Sequence, residues 1–182
     1  MVYMLLGTGF EETEAIAPLD IMRRAGIPVL TVGINGKTVV SSHKVPVVAD
    51  ITLEEMDLTD MDMIVLPGGL GGVASIRGSQ QAMDAIAFAR DNHKWMAAIC
   101  AGPTVLADLH ITDGRQATCY PGCETGMGEA VMVPDVPCIR DGKVITGTSA
   151  GCAVPFGLAL VEALKGKEAA KTVAEQIVIR HL

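Results

Sequence analysis

Trp95-Met96-Ala97-Ala98-Ile99-Cys100-Ala101-Gly102-Pro103 is an apolar run that ends in a cysteine between small residues, with a helical pattern opening at once. This reads as a buried strand turning sharply into a helix. A strand-turn-helix nucleophile corner needs small residues two before and two after the nucleophile, and Ala98 and Gly102 meet that need. A side chain at the corner is lifted out of the sheet toward a helix N-terminus, where the backbone dipole favours negative charge and thiol ionisation. Cys100 is therefore a candidate nucleophile; a buried structural cysteine is the competing reading.

Outward from this corner, short apolar runs alternate with helical patterns. Val2–Leu6, Val29–Val32, Met63–Leu66, Trp95–Ile99 and Val144–Ile145 read as buried strands. Helices are expected over 15–25, 80–91, 103–109, 156–164 and 168–179, with Pro18 tolerable only in a first turn and Gly26 as a C-terminal glycine. Repeated strand-helix-strand order predicts an α/β fold with a mainly parallel sheet covered on both faces. Ligands of such sheets bind beyond the carboxyl ends of the strands. Residues 37–48 read as an appended hairpin and 119–135 as a long loop near the mouth of the site.

The 182 residues suit one compact domain spanning 1–182, and about half are apolar. The net charge is −7 and the 14 basic residues are scattered along the chain, so no basic footprint for nucleic acid is read. No long uninterrupted apolar stretch indicates a membrane span, and no positive charge precedes Arg23 as a secretory signal would require. The five cysteines, Cys100, Cys119, Cys123, Cys138 and Cys152, form an odd set in a chain large enough to stabilise itself by burial. A reducing, cytoplasmic setting is expected rather than a disulfide framework. Cys119 and Cys123 lack a second pair at zinc spacing, so no metal is expected.

Two further stretches fall after strands. Leu66-Pro67-Gly68-Gly69-Leu70-Gly71-Gly72 allows close backbone approach, and the amides of Gly69 and Ala101 together suit a developing oxyanion. An ordinary glycine-rich turn is the bland alternative. Gly7-Thr8-Gly9-Phe10-Glu11-Glu12-Thr13-Glu14 lacks the third glycine of a dinucleotide fingerprint, and its acids would repel pyrophosphate. No cofactor is expected. Glu11 and Glu12 read as dipole complements at a helix start. One of the three carboxyl groups buried beside the thiol would have a raised pKa and could hydrogen-bond the thiolate.

These stretches, with Asp20-Ile21-Met22-Arg23-Arg24-Ala25-Gly26 and Leu160-Val161-Glu162-Ala163-Leu164, resemble the ThiJ/PfpI superfamily, most closely its parkinsonism-associated deglycase branch. The resemblance implies a flavodoxin-like three-layer sandwich and a homodimer. It implies an oxidation-sensitive cysteine, Cys100, ionised at neutral pH and paired with a protonated glutamate, Glu14. Gly69 and Ala101 match the surrounding amides; Gly68, Tyr120 and Cys119 are pocket candidates. Arg24 matches an arginine near the dimer interface, and Lys44 takes the place of a second one. The implied activity is glyoxalase III or protein deglycase chemistry on methylglyoxal, glyoxal or their early adducts. The alternative is a redox-sensing or chaperone-like stress protein.

Two departures from that family stand out. Tyr120 occupies the position of a histidine that some members carry, which disfavours a Cys-His-acid triad. His43, His93, His110 and His181 are expected in exposed or structural roles. Thr148-Ser149-Ala150-Gly151-Cys152-Ala153 replaces a Ser-Arg-Gly-Pro-Gly motif, so the pocket rim should differ.

Overall fold

The computed structural model describes residues 1–179; His181, assigned above to the tail, lies outside the described residues. The elements in chain order are β1 (Val2–Leu6), α1 (Glu12–Arg24), β2 (Val29–Gly33), β3 (Thr38–Val40), β4 (Pro46–Val48), β5 (Ile51–Thr52) and β6 (Met63–Leu66). Next come α2 (Leu70–Arg77), α3 (Gln80–Asp91), β7 (Trp95–Ile99), α4 (Pro103–Asp108), β8 (Gln116–Ala117) and β9 (Val131–Met132). β10 (Cys138–Asp141), β11 (Val144–Gly147), α5 (Ala153–Lys165) and α6 (Lys167–Gln176) complete the fold.

A seven-stranded sheet runs in the order β10-β11-β7-β6-β1-β2-β5. Every neighbouring pair is parallel except the edge pair β10–β11. The alternation of side chains along each strand divides the core. Val2, Met4 and Leu6 of β1 face α1, α5 and α6, together with Val65, Ile99 and Ile145. Tyr3 and Leu5 face α2, α3 and α4, together with Ile64, Met96 and Val105. Both faces are buried, which is why these strands are continuously apolar. The architecture is the expected three-layer, flavodoxin-like sandwich, and β3–β4 form the appended antiparallel hairpin.

The differences from expectation have local causes. α1 begins at Glu12 rather than at 15, because the Glu11 carboxylate accepts the Glu14 N–H at 2.8 Å and caps the helix. Pro18 therefore lies inside α1, where it removes one intrahelical hydrogen bond. The helix tolerates it because the Pro18 backbone seats against Gly157 of α5, and the two helices pack closely there. α2 was unexpected: Leu70-Gly71-Gly72 has poor helix propensity, and packing of Val73 and Ile76 on the sheet supports the helix instead. The strand at 144 extends to Gly147, and β10 pairs with it at the edge. Within 119–135, β9 pairs with β8 and Glu124–Gly126 form one 3₁₀ turn.

β1, β2 and β5 progress toward one edge, whereas β6, β7 and β11 progress toward the other. The switch between β1 and β6 opens a crevice at their carboxyl ends. The glycines there serve backbone contact. A Cβ on Gly7 would lie 2.7 Å from the Gly72 carbonyl oxygen, and one on Gly9 would lie 2.9 Å from the Gly71 Cα. The β1–α1 turn and the start of α2 thus touch backbone to backbone.

The α1–α5 contact gives a stability prediction. A Cβ on Gly157 would stand 2.9 Å from Ile21 Cδ1 and 3.0 Å from Pro18 Cα. Gly157→Val should cost ~1–3 kcal/mol by overpacking. The thermal midpoint should fall by about 2–4 °C for each kcal/mol. An unchanged calorimetric midpoint would contradict this packing.

Candidate active site

Four chain segments meet beyond the carboxyl ends of β1, β6, β7 and β11. Cys100 follows β7 directly and has φ +65°, a left-handed conformation that costs a non-glycine residue ~1–2 kcal/mol. The corner is held on several sides. The Cys100 N–H donates to the Gly147 carbonyl at 2.9 Å, and the Tyr120 N–H donates to the Cys100 carbonyl at 2.9 Å. The Gly102 N–H closes the turn onto the Ile99 carbonyl at 2.9 Å. A Cβ on Gly102 would lie 2.6 Å from the Leu66 carbonyl oxygen, so the small residue expected there is a steric requirement. The corner leaves Cys100 partly exposed.

Glu14, in the first turn of α1, is 1% exposed. Its Oε2 accepts the Gly68 N–H at 2.9 Å, and the Ala150 amide also acts to favour its charged form. The Cys100 thiol adjoins the same carboxyl group and acts to lower its pKa. The amides of Gly69 and Ala101 act to lower the pKa of the thiol. Gly68 must be glycine, because a Cβ would lie 2.5 Å from Glu14 Oε2 and 2.6 Å from Cys100 Cβ. Gly69 has φ +85°, and a Cβ there would collide with the Gly9 carbonyl oxygen.

Burial pushes the Glu14 carboxyl up to about 7, with the Glu11 charge adding to it, against hydrogen bonds from Cys100, Gly68 and Ala150. Burial also pushes the Cys100 thiol up, to about 12, and the Glu14 carboxylate reinforces that shift against the Gly69 and Ala101 amides. Both influences oppose the ionisation that a helix N-terminus favours. α4 has only six residues, and desolvation together with the neighbouring charge outweighs the amides. The two groups titrate as a pair. When Glu14 carries the proton, its charge no longer opposes the thiolate and it donates to the sulfur instead.

The remaining candidates sit around this pair. Tyr120 is exposed and its backbone is tied to Cys100. Cys119 is buried with Ala117 and Met127, with its thiol on the Tyr120 carbonyl at 3.5 Å, which favours packing over pocket lining. Arg24 pairs with Asp20 one helical turn away, and Lys44 is exposed in the hairpin turn. His43 pairs with Glu12 at 2.9 Å, His110 pairs with Asp113 at 2.9 Å, and His93 lies at the amino ends of the strands. Among the described residues, Glu11, Glu12 and His43 bring ligand-type atoms within 4.8 Å of one another. Hydrogen bonds to Glu14 N–H, Ser42 and His43 already engage the two carboxylates. Sequence reasoning missed the Ala150 donor, because a backbone amide carries no residue signature.

A doubly wound sheet with a cysteine corner and a buried acid at its switch point defines a class of α/β proteins. The DJ-1/PfpI family pattern matches residues 1–163, and the chain belongs to that family. Protein dj-1beta of Drosophila melanogaster is 35% identical over 180 residues, covering 98% of this chain and 96% of that one. Its crystal structure superimposes with a TM-score of 0.93 over 99% of this chain and 98% of that chain. An oxidized DJ-1 of Toxoplasma gondii is 30% identical, with a TM-score of 0.90 over 99% and 98% of the two chains. A protein named as a deglycase in Pyrococcus abyssi is 28% identical over 151 residues, 82% of this chain and 90% of that one.

The buried acid makes stability depend on pH. The ordinary glutamate value is 4.5 and the folded value is about 7. Between them the folded chain holds a proton that the unfolded chain releases, so stability falls as pH rises through this window. The loss should be on the order of 2–3 kcal/mol. Glu14→Gln should abolish that decline when urea unfolding of the two proteins is compared at pH 5 and pH 8. Parallel pH profiles would show that Glu14 ionises freely in the folded protein.

Proposed function

We propose that this protein is a cofactor-independent enzyme of the glyoxalase III or deglycase type, acting on methylglyoxal, glyoxal or their early adducts. The observation that carries the reading is the buried Glu14 carboxyl beside the Cys100 thiol, with the Gly69 and Ala101 amides favouring the thiolate. The Pyrococcus abyssi relative, named as a deglycase, supports the substrate class.

In this mechanism the thiol proton passes to Glu14 as the sulfur attacks the aldehyde carbon of methylglyoxal. The Gly69 and Ala101 amides hold the developing oxyanion, which takes up the proton to give a hemithioacetal. Glu14 then removes the proton on the former aldehyde carbon and delivers it to the adjacent carbon through an enediol. The result is a lactoyl thioester on Cys100. Water cleaves the thioester, releasing lactate and restoring the thiol. A carboxyl with a pKa near 7 suits both halves of this shuttle, because it gives and takes a proton at neutral pH. Tyr120 stands in place of a ring nitrogen base, which disfavours peptidase chemistry. A homodimer in the cytoplasm is the expected setting by family resemblance.

A second reading is favoured by the oxidized Toxoplasma gondii relative. Two equivalents of hydrogen peroxide would convert the Cys100 thiol to a sulfinic acid and release two waters. Its oxygens would be held by the same two amides and by protonated Glu14, which makes the protein a peroxide sensor.

Purified Cys100→Ala should lose methylglyoxal turnover, and Glu14→Gln should lose ~10²–10⁴-fold, the usual value of a positioned acid–base group. Lactate formation measured directly tests both. Wild-type turnover retained in Cys100→Ala would refute the enzymatic mechanism. Intact mass after mild peroxide separates the readings: a gain of two oxygens on Cys100 in a protein without turnover supports the sensor.

A further inference from the structure

The amino ends of the strands, opposite the cysteine corner, carry two adjoining hollows that share His93, Lys94 and Lys143. One of them, of about 520 Å³, lies between the end of α3, the start of β7, the segment 110–115 and the β10–β11 turn. Its volume falls in the range of small-molecule sites. Its floor is apolar: Met96, Ile111 and Val144 are each at most 6% exposed. Its walls are cationic, with Arg90, Lys94, Arg115 and Lys143 facing Asp113 as the one carboxylate of the lining. In a chain of net charge −7, this gathering of four of its 14 basic residues runs against the overall field.

The charges are only partly satisfied from within. Arg90 reaches Asp91 at 2.8 Å, and Arg115 approaches Asp141 at a loose 3.7 Å. Among the described residues neither lysine makes an ion pair. Lys143 Nζ donates to the His93 carbonyl at 2.8 Å, which fixes its position and leaves two further N–H donors on the ammonium. Arg115 Nε is likewise anchored on the Ile111 carbonyl at 3.1 Å, and Arg90 on the Leu109 carbonyl at 3.2 Å. Three of the four cations are thus held by backbone carbonyls around a shared hollow. Two guanidinium forks suit phosphate oxygens.

We propose that this hollow is a binding site for a phosphorylated small molecule carrying at least two negative charges, with its organic body on the Met96-Ile111-Val144 floor. The site is separate from the Cys100 corner, which lies at the opposite end of β7. It is also invisible to any count along the chain, because its cations come from α3, the start of β7, the 110–115 segment and the β10–β11 turn.

Inorganic pyrophosphate and adenosine diphosphate, at low salt and matched ionic strength, are suitable probes by isothermal titration calorimetry. Wild type should bind both saturably, with adenosine diphosphate tighter because of the floor. Cys100→Ala should bind as wild type does. The double reversal Lys94→Glu, Lys143→Glu should lose at least tenfold in affinity, and Arg115→Gln should show a smaller loss in the same direction. Circular dichroism of each variant checks that the fold is intact. Absence of saturable binding, equal binding by the folded double variant, or loss of binding in Cys100→Ala would each overturn the proposal.

Discussion

A carboxyl group without solvent, placed against a thiol, is the constraint around which this molecule is arranged. Glu14 accepts the Gly68 N–H and lies beside the Cys100 thiol. Removing the carboxyl from water raises its pKa by desolvation, which no cation among the described residues offsets. The protein tolerates that cost only because α1 starts early, the β6–α2 turn carries no side chain at Gly68, and the β7–α4 corner is forced into a left-handed turn. Each of these features is locally unfavourable. Together they bring one buried acid and one sulfur side by side.

The sheet supplies the geometry. Its order switches between β1 and β6, and the loops after β1, β6 and β7 open into the same crevice. The later β11 loop closes the far side and contributes Ala150. Glycines at 7, 9, 69, 71 and 72 let the β1–α1 and β6–α2 turns touch backbone to backbone.

The legible parts of the fold and site were those with residue signatures. Buried parallel strands are continuously apolar, and the small residues flanking Cys100 marked its corner because the turn excludes larger ones. Glu14 was singled out among three acids by resemblance, since spacing alone does not say which carboxyl turns inward. α2 escaped notice because three of its first residues are Leu70-Gly71-Gly72 and its stability comes from Val73 and Ile76 on the sheet. β10, with Arg140 and Asp141, lacks the apolar run of a central strand because it is an edge. The Ala150 donor and the basic hollow were hidden for a common reason: both are made by positions far apart in the chain, and neither has a local pattern.

The most direct test of a neutral acid beside the Cys100 thiol is a ¹³C NMR titration of the Glu14 carboxyl carbon in the reduced protein. Protonation persisting to a midpoint near 7 is the expected result. A midpoint at the ordinary glutamate value of 4.5 would show a solvated, independent carboxylate. The thiol would then have no neutral acid beside it, and the proton shuttle would have no carrier.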